Sequence, residues 1–211
     1  MPTYSCNGVV IKQSKFNDSD RLVKLLTQHQ GLVDVIVKGA RKITSKKGGS
    51  MDLLNHVSAE IAKGKSLDIL TDVVTINDYL GIKKDLFKVG IVYYLVEVLV
   101  SYEYDNQECG LIFKRLLITL DRIEKSKSML TSVLVLKSFE LYYLDIIGYK
   151  MQSKDLGRTQ QLFEVLASNS LESLAKLKYN TEIVKDLSDS IQNYTETVLE
   201  RKFRKVNLLA I

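Results

Sequence analysis

Two cysteines, two histidines and one proline are all that the 211 residues contain of those types, and tryptophan is missing altogether. Cys6 and Cys109 stand far apart, outside any CxxC pair, and His29 and His56 are the only imidazoles. A closed zinc site needs about four ligands at characteristic spacing. No metal and no other cofactor is therefore expected. Long apolar runs are also missing. The richest, Gly90–Val100, is too short to span a bilayer and carries Glu97. The N-terminal MPTYSCNGVVIKQSK has no basic segment followed by an apolar core. A cytoplasmic, reducing location is the expectation, with both thiols free. The chain has no P-loop, GxGxxG, GxSxG or HExxH pattern. No catalytic residue is expected, and the protein is read as a non-enzyme.

What is present is ordinary in bulk and uneven in detail. A hydrophobic content of 45% with 26% charged residues fits a soluble, folded protein. The formal net charge is +5 and the pI about 9.0, mildly basic. Within Val35–Gly49, VIVKGARKITSKKGG, stand Lys38, Arg41, Lys42, Lys46 and Lys47, and no acidic residue occurs between Asp34 and Asp52. Taken alone, such a run is more often a solvated loop between strands. Flanked by glycines that permit close backbone approach, it also has the concentrated single-sign charge that a polyanion such as a nucleic-acid backbone requires.

The two halves of the chain follow different patterns. Gly8–Lys12, Arg21–Thr27, Leu32–Lys38, His56–Ala62 and Leu67–Ile76 read as β-strands separated by turn compositions. Asp18 and Asp20, flanking Ser19, belong to such a turn, where short polar side chains bond their own backbone. Five strands in the first eighty residues predict a closed OB-fold barrel, with an SH3-like barrel fitting less well. Seven of the eleven glycines occur by Gly81, and from about residue 82 the period becomes helical. Helices are predicted over Lys84–Tyr104, Leu111–Lys125, Ser128–Ile147, Asp155–Ala167, Leu171–Leu177 and Asn180–Lys205, with the Ser128–Ile147 helix central to a bundle. The fold class is thus α+β: an OB-fold nucleic-acid-binding domain over 1–80, then an all-helical, partner-binding domain over 82–211.

The order and spacing of several elements carry a resemblance. Val9-Val10-Ile11-Lys12, Asp18-Ser19-Asp20-Arg21, Leu26-Thr27 and Gly31 lead into Lys38-Gly39-Ala40-Arg41, with Ser45 following. Leu67-Asp68-Ile69-Leu70-Thr71, Tyr94-Leu95-Val96-Glu97, Phe113, Leu116-Leu117 and Gly148-Tyr149 come after. In this pattern the chain resembles the RecO family of bacterial DNA-repair and recombination mediators, over roughly residues 8 to 150. The resemblance implies an OB-fold followed by a helical domain. It also implies binding of single- and double-stranded DNA, annealing of complementary strands, and work with RecR and the single-strand DNA-binding protein so that RecA loads. Many members carry a four-cysteine zinc module after the Gly-Tyr element. Here Lys150-Met151-Gln152 follow, so this is a short form without that module, and Asp18 stands where the family usually has Glu.

Phosphate contacts are expected from Lys38, Arg41, Lys42, Lys46 and Lys47, helped by Lys12, Lys15, Arg21 and Lys24. Aromatic platforms for base stacking are few: Tyr4, Phe16 and Tyr79 are the only aromatic residues of the barrel half. Binding should therefore be backbone-led and independent of sequence. For the acidic, phenylalanine-ended tail of the single-strand DNA-binding protein, which the resemblance assigns to the helical half, Lys114, Arg115 and Arg122 are the candidate cations. A solvated helix face accounts for them as well. A generic OB-fold RNA-binding module, and an adaptor that touches only proteins, remain alternatives on the sequence alone.

Overall fold

The structure is a computed structural model describing residues 2–101, 106–152, 156–168, 173–174 and 177–204. Five strands come first: β1 Thr3–Lys15, β2 Arg21–Thr27, β3 Leu32–Val37, β4 His56–Ala62 and β5 Asp68–Asn77, with a short helix, α1 Lys46–Ser50, between β3 and β4. Then follow α2 Leu80–Lys83, α3 Leu86–Leu99, α4 Asn106–Lys125, α5 Met129–Ile146, a 3-10 turn at Gly157–Thr159, α6 Gln160–Ala167 and α7 Thr181–Val198. The chain divides into two compact units. One holds residues 1–80 and 103–114, the other 81–102 and 115–211. The helical region is thus not a single block in sequence, because the first half of α4 groups with the barrel.

The strands close in the order β1-β2-β3-β5-β4, the five-stranded OB arrangement expected from the sequence. β2 and β4 coincide with their expected spans. β1 is longer at both ends than its β-branched run, since its polar ends are still paired: Thr3–Asn7 with β4 and Lys12–Lys15 with β2. A bulge at Ile11 shifts the β1–β2 register between Val10 and Lys12, and Gly8 and Val9 pair with both neighbours. Inside lie Cys6, Val10, Val23, Leu25, Val35, Val37, Val57, Ala59, Ile61 and Leu70. Ala40 and Met51, from the β3–β4 connection, complete the core at one end.

In the second unit, Ser128 caps α5 by accepting from the Thr131 amide, and residues 132–141 are buried on every side. Two of those residues are charged. Lys137 donates to Glu140 at 2.7 Å, with side chains 2% and 1% exposed. Tyr94 of α3 donates to the same carboxylate at 2.7 Å, and Thr195 of α7 does so too. The Lys137 ammonium also lies 4.6 Å from the centre of the Tyr94 ring. Burial, then the Glu140 charge, push the Tyr94 hydroxyl far above the ordinary tyrosine value.

Two expected helices end differently. Asp85 caps α3 and accepts from the Phe87 and Lys88 amides, so the helix starts at Leu86 rather than Lys84. The expectation at residues 102–104 lies outside the described residues. Helix α7 stops at Val198, short of the expected Lys205. Glu200 takes φ 49°, and the chain turns back to seat Phe203 against Tyr94 at 5.9 Å. Most of the expected helix at 171–177 lies outside the described residues.

Removing one partner of a buried ion pair leaves the other charge uncompensated. Glu140→Ala should cost about 3–5 kcal/mol in the urea-induced unfolding of the helical unit. Lys137→Met combined with Glu140→Gln should cost clearly less, because Tyr94 and Thr195 keep an acceptor and no charge is stranded.

Candidate nucleic-acid interface

The sequence-derived basic segment is not a free loop. It is fastened to the turn between β1 and β2 by backbone and side-chain bonds. The Asp20 carboxylate accepts from the Gly39 amide at 2.8 Å and also from Asn17 and Ser19. Gly39 takes φ +66°, a conformation that a side chain resists. The Arg41 amide donates to the Ser19 carbonyl at 3.0 Å. Its guanidinium donates to the carbonyls of Asp18 at 2.8 Å and Asn17 at 3.3 Å. The Asp18-Ser19-Asp20-Arg21 and Lys38-Gly39-Ala40-Arg41 elements are therefore two sides of one joint. The Gly39 amide, then Asn17, hold the Asp20 carboxyl below its usual range.

Beyond the joint, the chain forms α1 where a loop was expected. Lys46-Lys47-Gly48-Gly49-Ser50 has little helix propensity. Two features compensate. Ser45 caps the helix by accepting from the Gly48 amide at 3.1 Å. Gly48 sits so close to Ala40 that an added Cβ would come 2.2 Å from its carbonyl oxygen. Arg21 ties the helix down, donating to the Gly48 carbonyl at 3.3 Å and to Asp52 at 3.1 Å. Gln13 reaches the Met51 carbonyl at 2.6 Å, and Lys47 donates to the Thr71 carbonyl on β5.

These bonds divide the nine candidate cations. Lys38, Lys42 and Lys46 are exposed, and their side chains make no hydrogen bond or ion pair among the described residues. Arg41, Lys47 and Arg21 are spent on the scaffold. Lys15 is exposed and sits directly across from Arg21, so it lies at this same end of the barrel. Lys12 and Lys24 face each other on the alternate face of the β1–β2 pair, and Lys24 is bonded to Asp34 at 2.6 Å. One residue escaped the sequence reading. Ile43, between Lys42 and Ser45, is wholly exposed, and Phe16 at the facing turn is 42% exposed. An isolated apolar residue inside a cationic run was the available signal.

On the helical side, Arg115 and Arg122 come together and Lys114 does not join them. Arg115 donates to Ser138 at 2.8 Å and lies 5.2 Å over the Tyr142 ring. Burial, then the charge of Arg122, lower its proton affinity. The Arg122 Nη1 atom is buried without a hydrogen-bond partner among the described residues. Lys114 is exposed, one residue from Arg115 and so on a different helix face, and it belongs to the other unit. Cys6 and Cys109 are both buried. Burial, then Glu60, push the Cys6 thiol up to about 11. Among the described residues, no group of three or more His, Cys, Asp and Glu side chains could hold a metal, and no helix is long and apolar enough to cross a membrane.

Comparison with known proteins gives concordant results. Residues 1–79 match the family profile described as "Recombination protein O N terminal". A protein from Dehalococcoides mccartyi strain BAV1, named DNA repair protein RecO, is 25% identical over 94% of this chain and 92% of its own length. Proteins of the same name from Gloeothece citriformis and from a Roseiflexus species are 30% and 32% identical. They align with 85% and 71% of this chain, and with 62% and 51% of their own lengths.

The joint gives a pH expectation of definite sign. A depressed carboxylate pKa stabilises above the unfolded value, near about 3.9, and that contribution is lost as pH falls through the lowered folded value. The protection factor of the Gly39 amide, its exchange rate set against the intrinsic rate at the same pH, should therefore fall in acid, below about pH 4. Asp20→Ala should show the low protection at neutral pH as well. Unchanged Gly39 protection in that variant would mean that the carboxylate does not hold the segment.

Proposed function

This chain belongs to the RecO family of DNA repair proteins, and from that premise we propose that it is a DNA-binding recombination mediator. In this reading it binds single- and double-stranded DNA, anneals complementary strands and assists RecA loading with RecR and the single-strand DNA-binding protein. The observation that carries it is the set Lys38, Lys42 and Lys46. These three ammonium groups make no hydrogen bond or ion pair among the described residues, on a segment that Asp20, Arg41 and Gly48 already hold in place. A cationic surface ordered before binding has less conformational entropy to lose when phosphates arrive. With no acidic residue in the run, it attracts any strand irrespective of sequence.

Annealing follows from charge. Two strands repel through their phosphates, and a surface that binds both lowers that repulsion while leaving base edges free to pair. Nothing in this action requires a covalent step, so the proposal assigns no catalytic residue. The barrel unit is the nucleic-acid module and the helical unit the partner module. For the latter, Arg115 and Arg122 are the proposed seat of an acidic, aromatic-ended peptide. The supporting observation is the buried Nη1 of Arg122, without a hydrogen-bond partner among the described residues and beside a second guanidinium, which a carboxylate would satisfy.

Each lysine–phosphate contact contributes about −0.7 to the log–log salt slope on single strands. Replacing Lys38, Lys42 and Lys46 with Ala should make that slope shallower by about 2, measured by fluorescence anisotropy across a salt series. An unchanged slope in a folded variant removes the segment from the interface. A clear preference for RNA would favour an RNA-binding module instead.

Arg122→Glu should impair loading onto DNA coated with single-strand DNA-binding protein and leave binding to naked DNA intact. Simultaneous loss of both activities would show that the two surfaces do not act separately.

A further inference from the structure

The end of the barrel opposite the basic segment contains a cavity of about 670 Å³. Its origin lies in the ladder. β3 and β5 pair only at Val35–Asp68 and Ile36–Ile69. Before that point the first residues of β3 and the β4–β5 turn run on without a ladder between them, and the barrel wall opens there.

The lining is mixed, and its apolar part is the Tyr4 ring with Leu32, Val33 and Leu67. Gln30 and Ser66 add neutral polar groups that can both donate and accept. Two carboxylates also line the cavity, and each is already engaged. Asp34 accepts from Lys24 at 2.6 Å. Asp68 accepts from the Tyr4 hydroxyl at 2.6 Å and from the Gly64 amide at 3.1 Å. The cation of the lining is Lys63, whose ammonium lies 5.9 Å from the Tyr4 ring centre and makes no ion pair among the described residues. Lys65, two residues on in the same turn, is exposed.

An aromatic ring with three aliphatic neighbours, hydrogen-bonding edges, and the ammonium groups of Lys63 and of Lys65 in the adjoining turn complement a flat ring with polar edges attached to an anion. We propose that this cavity is a subsite for one nucleotide of a single strand. Its base lies between Tyr4, Leu32, Val33 and Leu67, and its phosphate lies at Lys63 and Lys65. The proposal rests on the DNA-binding reading and adds a contact to the base, which the basic segment does not supply. Gln30 and Ser66 can turn donor or acceptor toward a base edge, so the subsite tolerates any base. A strand reaching both ends of the barrel would be held electrostatically at one and by a base at the other.

The test compares an oligothymidylate with an abasic oligonucleotide of equal length, which keeps the phosphates and lacks the bases. Base contacts of this kind are each worth about 1–3 kcal/mol, so the wild-type protein should bind the abasic strand at least about fivefold more weakly. Ser66→Leu fills the cavity from its exposed turn without adding an aromatic ring. It should bring oligothymidylate binding down to the abasic level and leave abasic binding unchanged. Gln30→Leu serves the same purpose from the other wall if Ser66→Leu does not fold. Equal wild-type affinity for both strands overturns the subsite and spares the DNA reading. So does a filled variant that still tells the strands apart, or one that weakens both alike. Failure of the wild-type protein to bind either strand overturns both.

Discussion

The hydrogen bond from the Gly39 amide to the Asp20 carboxylate is the constraint on which the basic end of the barrel depends. A run of like charges repels itself and, left alone, would sample many conformations. The β1–β2 turn prevents this by offering one carboxylate and three backbone carbonyls to the incoming segment. Arg41 answers the carbonyls, and the chain beyond it is delivered to Ala40 and Gly48 at a separation that allows α1 to form. Cation placement then follows from the fold and requires no ligand to impose it.

Some of the most conspicuous charges consequently do not face solvent as free groups. Sequence reading weights every lysine and arginine alike, whereas the fold separates them by what they touch. Arg21, Arg41, Lys24 and Lys47 stabilise the barrel end and its flank, and within the basic run Lys38, Lys42 and Lys46 are left exposed with no side-chain bond among the described residues. That distinction is illegible in one dimension, because it depends on contacts between distant segments, such as Arg41 with Asp18, Arg21 with Asp52 and Lys47 with Thr71, that no local pattern announces. The strands were legible for the opposite reason. β2 and β4 are short, β-branched and half-buried, so period and composition coincide. The polar ends of β1 gave no such signal, since their pairing is backbone to backbone. α1 was hidden by two glycines that ordinarily oppose a helix and are here required by the close approach to Ala40.

In the helical unit, the apolar surround of α5 marks it as central, but nothing in the sequence singles out Lys137 and Glu140 within it as buried. Their burial is possible because four groups converge: an ammonium, a carboxylate and two hydroxyls satisfy one another. Arg115 and Arg122, seven residues apart on α4, share a face, as helical spacing requires. Lys114 was grouped with them by proximity in sequence and is separated by rotation about the helix axis. Phe203 was read as part of a continuing helix. The left-handed turn at Glu200 instead makes it a side chain that closes the Tyr94 end of the buried network.

The barrel is also a ring of unequal joints. β1–β2, β1–β4 and β4–β5 are each joined through seven paired positions, β2–β3 through six, and β3–β5 through two. A hoop with one thin joint does not deform evenly: strain collects at the seam and the rest of the circumference turns as a stiff band. For this protein the compliant direction is fixed by topology, across β3 and β5, and changes of diameter are concentrated along that line. The unit is therefore better described mechanically as a split cylinder than as a closed one. Its stiff arc bears the cation-holding turn, and its slit is continuous with the cavity beside Tyr4.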